Sequence, residues 1–118
     1  MKITIKQILN AYDTLSRLAE RTLPVKQSYG LAKVVKAVNG EFAIYESERI
    51  KLCEKYGTLN REQMQYDIND WDGLRKDMNT LESQEVDLDV KPIDISGLEL
   101  SAQDIISIEP FIEVIDDD

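Results

Sequence analysis

The chain has 118 residues, 42% hydrophobic and 31% charged, with a formal net charge of −9. That balance fits one folded domain and excludes a disordered chain, and with aromatics at 7% the core must be mainly aliphatic. One cysteine and no histidine exclude an internal disulfide, Cys–His and Ser–His–Asp catalysis, and the commonest zinc ligand.

Charge is segregated along the chain. Residues 1–57 hold ten Lys/Arg and six Asp/Glu, a net +4, whereas residues 58–118 hold four and seventeen, a net −13. Such asymmetry implies internal complementarity or a polar partner surface. No run approaches the length of a membrane span. The opening MKITIKQILNAYDTL alternates apolar and polar residues, unlike a secretory leader, and the single Cys53 is consistent with a reducing compartment.

Thr4 followed by Gln7 is a capping box, after which Ile5, Ile8, Leu9, Tyr12, Leu15 and Leu18 mark one apolar helix face. This first helix is expected to run to about Leu23, because the residue before Pro24 avoids helical torsions. Pro24 suits the first turn of a second helix ending at Gly57. Within it Leu31, Val35, Val38, Phe42, Tyr45, Arg49, Leu52 and Tyr56 recur at alternating steps of four and three, a heptad seam broken by Arg49. Gly30 and Gly40 inside that helix suggest a bend or a close helix approach. The second helix outruns the first by on the order of 20 Å at 1.5 Å per residue. The first helix is expected to cover the seam, and the overhang must be covered by the C-terminal half or by a partner such as a second subunit.

The segment GTLNREQMQYDINDWDG reads as a loop or poorly periodic helix, with Asn60 capping a turn. DINDWDG looks like the start of a calcium loop, but with Gly73 as the sixth position the first falls on Ile68, the ninth on Lys76 and the twelfth on Asn79. The better reading is a helix start, and Trp71, Leu74, Met78 and Leu81 predict a helix over 70–83 with Trp71 as an anchor. Val86, Leu88 and Val90 alternate with Asp87, Asp89 and Lys91 as a half-buried strand that Pro92 ends. Ile93 and Ile95 restart the alternation before a Ser96-Gly97 turn, so the two runs suggest a small hairpin leaning on a helix. Ser101 with Asp104 caps a last helix carrying Ile105, Ile106 and Ile108 up to Pro110. Phe111, Ile112, Val114 and Ile115 form an apolar tail, either tied to the core or a docking peptide, before a solvated end of three aspartates. The expected fold is mainly α (α+β): one domain, with an antiparallel helical hairpin over 1–57 containing one long helix, and an acidic half over 58–118 with further short helices and a small β-hairpin near the C-terminus.

The series PVKQSYGLAKVVKAV, KLCEKYG, EVDLDVKPIDIS and LSAQDIISIEPFIE resembles a family of small uncharacterised proteins of tailed phages and prophages of Gram-positive bacteria, over nearly the whole chain. The resemblance implies a phage or prophage origin and action in or on an infected bacterial cell. It brings no catalytic motif, and the stretch from Thr58 to Asp72 is its least family-like part.

The chain is therefore expected to be non-enzymatic, without cofactor or metal. Asp70/Asp72 and Asp87/Asp89 are paired carboxylates, but acids alternating on a strand usually form a wet face. A charge of −9 repels phosphates, and Lys26, Lys33, Lys36, Lys51 and Lys55 are interleaved with glutamates, which argues against direct nucleic-acid binding. The expected partner is a protein, either a phage structural protein or a host protein, with virion structure or assembly as the setting. The alternative is an acidic inhibitor of a host defence or nucleic-acid-binding machine, with Asp67 to Asp89 imitating DNA. The expected contact residues are Leu31, Val35, Val38, Phe42 and Tyr45 on the seam, Trp71, Asp87 and Asp89, and Phe111 and Ile112. The expected location is the cytoplasm of the infected host, or the virion.

Overall fold

The structure is a computed structural model and describes residues 1–115. The chain is mainly α with small β elements and one long helix. In order these are β1 (Lys2–Thr4), α1 (Ile5–Ala19), α2 (Val25–Tyr56), β2 (Gly57–Asn60), β3 (Gln65–Ile68), α3 (Trp71–Glu82), β4 (Glu85–Asp87), β5 (Ile93–Asp94), α4 (Ala102–Ile108) and β6 (Ile112–Glu113).

α1 begins at the expected capping box. Thr4 Oγ1 accepts from the Gln7 amide at 3.2 Å, while Gln7 Oε1 accepts from the Thr4 amide at 2.9 Å. Ile5, Ile8, Ala11, Leu15 and Leu18 form its buried face. Thr14 on the same face is the one buried polar residue among the described residues, and its hydroxyl shares a 2.7 Å hydrogen bond with Ser107 of α4. Arg17 adds a second tie to α4 through Asp104 at 3.0 Å. α1 stops at Ala19, four residues short of the expected end. Leu23 leaves the helical path and packs, half-buried, against the core.

α2 runs from Val25 to Tyr56, as its heptads predict. The ring of Tyr12 stacks on Phe42 at 4.1 Å, which sets the pairing of the two helices. A parallel arrangement would leave Ala19 about 36 Å from Val25 at 1.5 Å per residue. The linker over 20–24 reaches only about 20 Å. The pair is therefore an antiparallel hairpin, with α1 beside the middle of α2 and both ends of α2 overhanging. Both overhangs are covered by the C-terminal half. At the start of α2, Gln27 Nε2 donates to the carbonyls of Asp94 and Ser96 at 2.8 and 3.0 Å. At its end, Tyr56 donates to Asp77 of α3 at 2.5 Å.

Gly30 and Gly40 mark no close approach, since a Cβ at either would meet nothing within 4 Å. Gly57 does. It is extended rather than left-handed, and a Cβ there would come within 2.6 Å of the Asp67 carbonyl oxygen. The helix ends at Gly57 because β3 crosses directly against its backbone.

The segment after Gly57 is neither loop nor helix but a hairpin of β2 and β3, in which Leu59 stands opposite Tyr66. Asn60 caps its turn, as its Oδ1 accepts from the amides of Glu62 and Gln63. The runs 86–90 and 93–95 do not pair with each other. β4 pairs antiparallel with β1, Ile3 opposite Val86, and β5 pairs parallel with β6, Ile93 opposite Ile112. Ile3 and Ile93 are 2% and 4% exposed, so burying these apolar residues decides the partners over local pairing. Ser96-Gly97 forms the expected turn, with φ of +78° at Gly97. Ser101 Oγ accepts from the Asp104 amide and caps α4 as expected. The tail is tied to the core: Phe111 is 0% exposed, and the Ile115 amide donates to Ser96 Oγ at 3.2 Å. The solvated end expected for the last three aspartates lies outside the described residues.

Candidate docking groove

The far end of α2, the hairpin and α3 enclose a groove of about 550 Å³. Arg49, Ile50 and Cys53 line it from α2, Gln65, Tyr66 and Ile68 from β3, and Trp71, Leu74 and Met78 from α3, with Met64 at the hairpin tip. The order of elements makes it. Gly57 lets the chain turn from helix to strand, and Asp70 then caps α3, its carboxylate accepting from the Gly73 amide at 3.0 Å. Gly73 is required beneath, because a Cβ there would lie 2.6 Å from the Tyr56 ring. The acids and glycine of DINDWDG thus start α3 and seat Tyr56.

Leu74 is buried and forms the floor. The walls are open: Trp71 is 61% exposed, Met64 85% and Ile50 40%. Leu59, on the same hairpin face as Tyr66, extends the apolar surface. Met64 also holds φ of +53°, a left-handed conformation that a bulky side chain adopts only at a cost. Arg49, the one cation lining the groove, is held by two hydrogen bonds to Glu46 at 3.2 and 3.1 Å. The Tyr66 hydroxyl donates to Glu54 at 3.2 Å. Burial and then Glu54 push that hydroxyl's pKa up. Hydrogen bonding from Tyr56 holds the Asp77 carboxyl below its ordinary value, against a smaller opposing effect of desolvation. Burial raises the Tyr45 pKa, with Glu82 adding to it.

Of the expected contact residues, only Trp71 lines this groove. Leu31, Val38, Tyr45 and Phe111 are 3%, 1%, 7% and 0% exposed, so they belong to the core and not to a contact surface. Val35, Phe42 and Ile112 are half-buried against that core. Asp87 and Asp89 are exposed, and Asp89 borders a cleft beside Lys26, Lys33 and Lys91. Met64, Ile50 and Tyr66 were missed from the sequence. For Tyr66 the signal was present in the alternation of QYDI, half-buried at Tyr66 and Ile68 only; for Met64 the pattern carries none.

No protein-family model, curated protein or solved structure matches this chain. Among the described residues no helix is long and apolar enough to cross a membrane.

Proposed function

We propose that this chain is a non-enzymatic accessory protein of a phage or prophage that acts by binding another protein, with virion structure or assembly as its setting. The docking surface is the groove at the far end of α2. One observation carries this reading: three large exposed apolar residues, Trp71, Met64 and Ile50, converge as the walls of one groove, whereas exposed residues such as Val25, Ile44 and Val114 do not line it. Tryptophan is the residue most enriched among binding hot spots, and methionine suits an adaptable contact surface. The carboxylates with shifted pKa serve the fold: Asp77 is engaged by Tyr56, and Asp94 by Ser96.

The reading as an acidic DNA mimic draws on the net −13 of residues 58–118. Asp70 and Asp77 are spent on internal bonds, which leaves a sparser array than the sequence suggests. Such a mimic would bind a basic partner in a steeply salt-dependent way, and Asp87→Lys/Asp89→Lys would abolish the binding.

The test is site-specific photo-crosslinking in infected cells. A photoreactive residue at position 64 should trap one defined protein, and one at the exposed Gln103 of α4 should not. Mass spectrometry of purified particles then tests the setting. Absence of the chain from particles rules out the virion, and equal trapping from both positions rules out the groove.

A further inference from the structure

Resting on that reading, we infer that the groove takes a basic amphipathic peptide segment of its partner, one or two large apolar side chains flanked by Lys or Arg. The apolar part follows from the lining, where Ile50, Ile68, Leu74 and Met78 surround a space sized for a few side chains and Trp71 and Met64 form its jaws.

The charge of the ligand follows from the segment that builds the groove. Residues 46–82, which build the groove, hold six Lys/Arg and nine Asp/Glu, a net −3. Three of the six cations are spent on ion pairs. Arg49 is paired with Glu46, Lys51 with Glu48 and Lys55 with Asp77. Two acids that adjoin lining residues in the chain, Asp72 after Trp71 and Glu54 after Cys53, are freer. Asp72, next to Trp71, is 98% exposed and meets Arg75 only at 3.9 Å. Glu54 receives a single neutral hydroxyl, that of Tyr66. A ligand that seats apolar groups in this groove gains by bringing positive charge to such acids. A second copy of this chain is the poorer occupant, because it would set one net −3 segment against another in a molecule of net −9.

Met64 gives an independent reason to read a contact here. Glycine or asparagine would satisfy φ of +53° at lower cost, and the Met64 side chain, 85% exposed, returns nothing to the core. Its place is explained by what it touches when the groove is filled.

The experiment is selection of a random linear peptide library on the full folded chain at about 0.15 M salt. Enriched peptides should carry apolar residues flanked by Lys/Arg. Their affinity should fall about tenfold or more with Trp71→Ala, and clearly with Asp72→Lys/Glu54→Lys, while circular dichroism stays unchanged. Groove-binding peptides that are neutral or acidic would overturn the inference and leave the docking reading standing. No enrichment, or peptides insensitive to Trp71→Ala, would overturn both. A concentration-dependent dimer in light scattering that Trp71→Ala abolishes would give the groove to a second copy instead.

Discussion

Tyr56, the last residue of α2, donates its hydroxyl to the Asp77 carboxylate of α3 at 2.5 Å, with Lys55 3.6 Å from the same oxygen. This pin joins the end of the long helix to the helix that carries Trp71. Tyr56→Phe should lower the melting temperature at neutral pH. The Asp77 pKa is depressed in the folded chain below its ordinary 3.8, so its stabilisation is present above that pH and is lost as pH falls through the folded value. The gap between wild type and Tyr56→Phe should close in acid when melting is followed against pH. A gap that persists at the lowest pH would mean that the hydroxyl stabilises the fold without needing the ionised Asp77 carboxylate.

Gly30 and Gly40 sit in open space within α2, so alanine should relieve helix entropy without a clash. Each substitution should stabilise by up to about 1 kcal/mol, read by urea unfolding. A loss at either site would show a packing role.

Gly57→Ala should do the opposite. A Cβ 2.6 Å from the Asp67 carbonyl oxygen forces the hairpin away from the helix end. The cost should be about 1–3 kcal/mol, as for overpacking elsewhere. A neutral result would mean the hairpin shifts freely.

The long helix, the capping box at Thr4 and the cap at Ser101 were legible because their determinants are local: heptad spacing, and a side chain three residues from the amide it accepts. The strand pairs were not. β1 meets β4 across more than eighty residues, Ile3 against Val86, and no local pattern names that partner. The seam was read correctly as apolar and as covered by α1, with the overhang left to the C-terminal half or a partner; the sequence could not decide between those two, and the tail at Phe111 and α3 supply the cover. Trp71 was picked out by residue type alone; its neighbours Ile50 and Met64 converge on it only through the hairpin.

Phe111→Ala should destabilise by about 3–5 kcal/mol, the usual result for a buried phenylalanine. That outcome, read by chemical unfolding, separates a core residue at 0% exposure from a docking peptide. A change under about 1 kcal/mol would return the tail to the surface.

Met64→Asn should raise stability by about 1 kcal/mol, since asparagine tolerates the left-handed backbone that methionine resists. The same variant should bind the partner more weakly. Gain in one measurement with loss in the other is the signature of a residue kept for contact.

Trp71 is the only tryptophan in the chain, so its fluorescence reports the groove without a label. The most direct test is to titrate the protein with the partner trapped at position 64 and follow the emission and its quenching by acrylamide. If the groove is the docking surface, the emission shifts to the blue and quenching falls as the partner saturates. Emission and quenching that stay those of the free protein at saturation would contradict it.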